Sequence, residues 1–126
     1  DGFDELSDDR SSGHYTFKED EFFYEGHFPG KPITPGVILT ETAAQIGLVG
    51  LGIYHLLKER KQKEMIPLFS SAQIDFLKPV YPGETVRVEA TKEYFRFSKL
   101  KCKVIMYNSH QEKVCEGYLS GFIIEK

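Results

Sequence analysis

The sequence predicts an α+β domain in which one long buried helix is wrapped by a curved antiparallel sheet of about five strands. Two observations carry that reading. Residues 36–57 hold a single charge, Glu41, and the run ends in the wet cluster Lys58, Glu59, Arg60, Lys61 and Lys63. After it the chain turns to short stretches in which apolar residues recur at every second position, separated by turn residues. A chain that follows a helix with several consecutive strands is α+β, and curling the sheet round an apolar rod is the simplest way to bury it.

The elements follow in order. Asp1 to Gly13 is acidic and rich in serine and glycine, so residues 1–13 read as a flexible edge with upstream sequence missing, and residues 14–126 as the single domain. His14 to Lys18 places Tyr15 and Phe17 on one side, a short strand in which His14 is an exposed residue rather than a ligand. Thr34 is a good N-cap and Pro35 suits the first helical position. A helix apolar on nearly every side is a buried one, and a mostly basic exit suits the negative end of its dipole. The uncharged run from Thr42 to Leu57 is shorter than the roughly 20 residues of a membrane span. Leu68 to Leu77 is the next strand, and Lys78 to Glu84 a turn centred on Pro82-Gly83. Val86, Val88 and Ala90 alternate through Thr85 to Thr91; Leu100, Cys102, Val104 and Met106 share one face of Leu100 to Tyr107. Val114 to Ile124 closes the sheet after a polar turn that contains a solvated His110. Open sheet edges invite pairing with a second copy, so a homodimer is expected.

The chain has 126 residues and a formal net charge of −3, which gives no reason to expect nucleic acid or an anionic membrane as partner. Cys102 and Cys115 stand singly, without metal-ligand spacing. No metal or other cofactor is expected, and two such thiols fit a reducing, cytoplasmic compartment.

Three groups carry the chemistry. His27 sits in the stiff loop Gly26-His27-Phe28-Pro29-Gly30 and titrates near neutral pH, as a general base must. Glu41, expected to be buried, should then have a raised pKa and act as an acid. Gln45 lies one turn further along the same face, in reach of that carboxyl. The bland reading makes Glu41 a structural carboxylate satisfied by backbone donors. Gly36, at the second helical position, offers an N–H at the positive helix end and no side chain to keep a ligand oxygen away; the Thr34 hydroxyl could instead cap that N–H. A base, an acid and an oxyanion donor, with no nucleophile beside them, suit removal of a proton next to a carbonyl and loss of water from the next carbon.

The segment GHFPGKPITPGVILTETAAQ resembles the active-site signature of the (3R)-hydroxyacyl-[acyl carrier protein] dehydratases of fatty-acid synthesis, which have the hotdog fold. His27 stands in the His-Phe-Pro-Gly element, Gly36 in Pro-Gly-Val, and Glu41 and Gln45 in Glu-x-x-x-Gln; Asp75 to Gly83 resembles the strand and turn after the family's helix. The resemblance implies that His27 takes the C2 proton, Glu41 protonates the departing 3-hydroxyl, and the Gly36 N–H holds the thioester oxygen. It implies too that Phe28 helps shape the acyl tunnel, and that the His and the acid facing it come from different subunits of a homodimer, which can build into larger assemblies. An acyl carrier protein would deliver the substrate. Glu at position 41 resembles the branch that dehydrates only, where the isomerising branch has Asp. Thr34, Thr40 and Thr42 depart from the family's usual residues and make the helix front more polar. The alternatives are a hotdog acyl-CoA thioesterase and a catalytically silent subunit that binds acyl carriers; an intact His27, Glu41 and Gly36 argues against both.

Overall fold

The computed structural model describes residues 2–7, 9–18, 34–51, 65–97 and 99–125, of which 65–69 and 123–125 are described by their backbone alone. The described strands are β1 (Gly2–Leu6), β2 (Arg10–Thr16), β3 (Met65–Phe76), β4 (Thr85–Arg96), β5 (Lys99–Tyr107) and β6 (Lys113–Glu125). They form one sheet in the order β1-β2-β4-β5-β6-β3, with every neighbouring pair antiparallel. The helix α1 (Gly36–Ala43) continues as a π-helical segment, Ala44–Val49, and residues 50 and 51 return to α-helix. Residues 52–57 and the basic exit at Lys58 to Lys63 lie outside the described residues.

The predicted alternation places the core. Val88 pairs with Met106 and Ala90 with Val104, while Cys102 pairs with Leu119; all six are buried. Leu39, Ala43, Ile46 and Leu51 meet them from the helix in the same cluster. The approach is close because position 47 has no side chain: a Cβ on Gly47 would stand 2.9 Å from the Ala90 Cβ and 3.0 Å from the Val104 Cγ1.

Several expectations are corrected. The sheet has six described strands where the sequence indicates about five, because β1 and the start of β2 fall in the segment read as a flexible edge. Gly13, taken as loop composition, is where the strands nearly touch: a Cβ there would lie 2.5 Å from the Gly2 carbonyl oxygen. Across the same pair His14 Nδ1 meets Asp4 Oδ1 at 3.1 Å, so His14 is the exposed strand residue expected. β4 runs past Thr91 to Arg96, and the sequence alternation stops early because the register shifts between Lys92 and Tyr94. Thr34 is not the N-cap. Pro35 is, with φ −59° and ψ 144° and no side-chain cap bond. Its carbonyl accepts from the N–H groups of Ile38 and Leu39 at 3.0 and 3.2 Å, and Gly36 becomes the first helical residue rather than the second. The Thr34 N–H donates to the Val80 carbonyl at 2.7 Å, pinning the start of α1 to the turn after β3. That turn is as predicted: Glu84 N–H donates to the Tyr81 carbonyl at 3.1 Å, and Gly83 takes φ 88° at the position where a type II turn requires a positive value.

The π-helical segment has no sequence signature. Inside it the Ile46 carbonyl accepts a buried hydrogen bond from the Ser11 hydroxyl at 2.6 Å. That bond ties the helix to β2, and the segment follows directly on α1, which carries Glu41.

Two measurements test this packing. Gly47→Val should cost about 1–3 kcal/mol of stability through overpacking, read from the denaturant midpoint. Burial, with a smaller push from Glu93, raises the Cys102 thiol from 9.0 to about 12, and burial raises Cys115 to about 11. Both groups hold their protons more firmly folded than unfolded, so their contribution to stability is complete below the unfolded value and lost as pH rises through the folded one. Denaturant midpoints should fall across that alkaline window, and fall less in Cys102→Ala.

Candidate active site

Glu41 projects from the second turn of α1. Val37, Glu41 and Gln45 recur every four residues, and all three are exposed, Val37 at 74%. Leu39 and Ala43, on the opposite flank, are buried. This corrects the expectation that the helix is buried on every side and Glu41 with it. The sheet covers only one flank of α1, and the burial from which an acidic role was argued is not supplied by the described residues of one chain.

The spacing argument for Gln45 holds. Its Nε2 donates to Glu41 Oε1 at 2.9 Å, a contact across one helical turn. The threonines that make the helix front polar turn their hydroxyls back on the helix. Thr40 Oγ1 donates to the Gly36 carbonyl at 3.0 Å and Thr42 Oγ1 to the Ile38 carbonyl at 2.9 Å. Such back-bonding satisfies the hydroxyl locally. Glu41 is thus the ionisable group on this stretch of helix, and Gln45 holds its orientation.

Gly36 opens the same helix. The first helical hydrogen bond is made by the Ile38 N–H, so the N–H groups of Gly36 and Val37 precede it at the positive end of the helix. Glycine at 36 also meets a packing demand. A Cβ there would lie 3.1 Å from Phe76 Cζ and 3.3 Å from its Cε1, because the Phe76 ring lies with its tip on the helix start. Phe76 pairs with the buried Cys115, which places it on the helix side of β3. Sequence reasoning gave Phe76 no role. The available signal was its alternation with Ile74, also on that side.

His27 and Phe28 lie outside the described residues. The structure therefore sets Gly36, Glu41 and Gln45 along one helix, and the expected base falls outside the described residues. Among the described residues no three His, Cys, Asp or Glu side chains are placed to hold a metal ion. No described helix is long and apolar enough to cross a membrane. An open groove lined by Gln73, Asp75, Lys103, Glu116 and Tyr118 includes none of the candidate residues.

Comparison with known proteins supplies the family. The ApeI-like family model, described as ApeI dehydratase, matches residues 4–118. The bifunctional enzyme LpxC/FabZ of Chlorobaculum tepidum is 37% identical over 107 residues, which cover 84% of this chain but only 22% of that protein. The chain thus spans about a fifth of that relative's length. The 3-hydroxyacyl-[acyl-carrier-protein] dehydratase FabZ of Bacillus licheniformis is 33% identical over 117 residues, covering 93% of this chain and 78% of that one. A Thermus thermophilus thioesterase-superfamily protein superposes with a TM-score of 0.71 at 16% identity, covering 93% of this chain and 82% of its own. That likeness establishes the hotdog architecture and nothing about activity. A match running from β1 into β6, with curated dehydratases among the relatives, decides the family: the chain belongs to the ApeI-like dehydratases.

Proposed function

We propose that the protein dehydrates a (3R)-3-hydroxyacyl thioester, carried on an acyl carrier protein, to the trans-2-enoyl thioester in fatty-acid or related lipid synthesis. The observation that carries the reading is the Glu41 carboxyl held by Gln45 at 2.9 Å on the helix whose first N–H groups precede its first internal bond. His27 takes the proton from C2, and charge developing on the thioester oxygen is met by the Gly36 N–H. One such donor is worth about 3–4 kcal/mol at the transition state. Glu41 gives its proton to the 3-hydroxyl, which leaves as water while the C2–C3 double bond forms. The proton on His27 then returns to Glu41 through solvent. No cofactor takes part.

The site is completed by a second copy of the chain, whose His27 faces this Glu41. Two features support that arrangement. The exposed stripe of Val37, Glu41 and Gln45 leaves the carboxyl at the surface of one chain, on a flank that the described sheet does not cover. The two sheet edges differ as well. β1 is five residues long and carries Asp4 and Glu5, a short charged edge of the kind that resists pairing. β3 is twelve residues long and exposed from Ser70 to Phe76 except at Ile74, an edge open to a partner strand. The homodimer, or a larger assembly built from it, therefore pairs through β3, with two sites shared between subunits. Phe28 lines the acyl tunnel in the same reading. Two free, buried thiols support a reducing, cytoplasmic setting.

Hydration of a 2-enoyl thioester, followed by loss of its conjugated absorbance, tests the assignment. His27→Ala and Glu41→Gln should each lower turnover by about 10²–10⁴. A folded wild type that is inert on both short and long acyl chains, or that releases a free thiol instead, would contradict it.

A further inference from the structure

Phe76 stands at the candidate site without a part in the proposed mechanism. Its ring tip lies on Gly36, with Cζ, Cε1 and Cε2 all 3.1–3.4 Å from where a Cβ at 36 would be. A core phenylalanine in such a contact would be covered, yet Phe76 is 51% exposed. Val37, the next residue of the helix after Gly36, is itself 74% exposed. The ring therefore presents an apolar face next to the first N–H groups of α1.

The proposed dehydration gives this placement a consequence, and the inference rests on that reading. A thioester oxygen that accepts from the Gly36 N–H brings its carbonyl carbon to the start of the helix. C2, one bond further on, comes with it. Among the described residues, the side chain that meets position 36 is that of Phe76. We propose that Phe76 is a specificity-determining residue of the site: its ring walls the space around C2 and excludes acyl thioesters that carry a methyl branch there. The absence of a side chain at 36 and the bulk at 76 act together, the first admitting the oxygen and the second limiting what accompanies it. A rigid aromatic wall rejects an added methyl by roughly 10-fold or more, the range seen for one methylene in an apolar pocket.

The test separates selectivity from turnover. Binding of two inert amide analogues of 3-hydroxybutanoyl pantetheine, with and without a 2-methyl group, is measured by calorimetry for the wild type, Phe76→Ala and Phe76→Leu. Phe76→Leu keeps apolar bulk on Gly36 should the alanine variant fold poorly. The wild type should prefer the unbranched analogue by about 10-fold or more, Phe76→Leu less, and Phe76→Ala by about 2-fold or not at all. In parallel, Phe76→Ala should hydrate a 2-methyl-2-enoyl thioester that the wild type refuses. If both variants bind the two analogues in the wild-type ratio, the inference is overturned, whatever the rate of dehydration. If the binding ratio shifts as expected while the wild type hydrates no enoyl thioester, the wall around the ligand stands and the dehydration reading falls.

Discussion

Where the helix crosses the sheet, a side chain at position 47 would stand 2.9 Å from the Ala90 Cβ, so the helix backbone itself is the contact surface. That proximity lets the sheet-facing flank of the π-helical segment sink among Val88, Ala90 and Val104, all fully or almost fully buried. It also decides what is left outside. A helix held this tightly by one flank cannot roll to bury the other, and Val37, Glu41 and Gln45 remain on the open side. The Ser11 hydroxyl on the Ile46 carbonyl and the Thr34 N–H on the Val80 carbonyl fasten the helix further at two points. The Glu41 carboxyl is thereby presented by a rod with little freedom to reorient, as the proposed donation of its proton to a substrate hydroxyl requires.

Much of the fold was legible in the sequence because it follows from period-2 patterns. Val86 to Ala90 and Leu100 to Met106 alternate without interruption, and both stretches became strands with the predicted faces buried. What escaped was structure made by exceptions to the pattern. The shift at Lys92–Tyr94 hid the far half of β4. Gly2–Leu6 is exposed at every residue, so no apolar periodicity marks it as a strand. Thr34 and Pro35 together make a good local capping signal, but the helix starts one residue later than that signal indicates, with Pro35 at the cap. The π-helical segment is bonded at Ile46 by Ser11, 35 residues away, a contact that no local rule anticipates.

The site was legible as chemistry and less so as environment. The i,i+4 spacing of Glu41 and Gln45 predicted their hydrogen bond, because helical geometry alone brings those side chains together. Burial of Glu41 was inferred from the apolar character of the whole run, and that inference failed because apolar length says nothing of which flank a sheet can reach. Phe76 was missed for the opposite reason. Its contact with Gly36 joins residues 40 apart, and nothing in either stretch names the other.

The proposed account has a single chain hold the acid and the oxyanion donor on one helix, with the base supplied by a second copy across the exposed face of Val37, Glu41 and Gln45. The measurement that tests this most directly is reconstitution from two inactive variants. His27→Ala and Glu41→Gln proteins are unfolded together, refolded at equal concentration and assayed for hydration of a 2-enoyl thioester. In a two-fold dimer with shared sites, each mixed dimer has one site with both wild-type groups and one with neither, so the mixture should recover about a quarter of wild-type activity. A mixture that forms dimers yet stays as inactive as its parents would contradict the account, because His27 and Glu41 would then have to act within one chain.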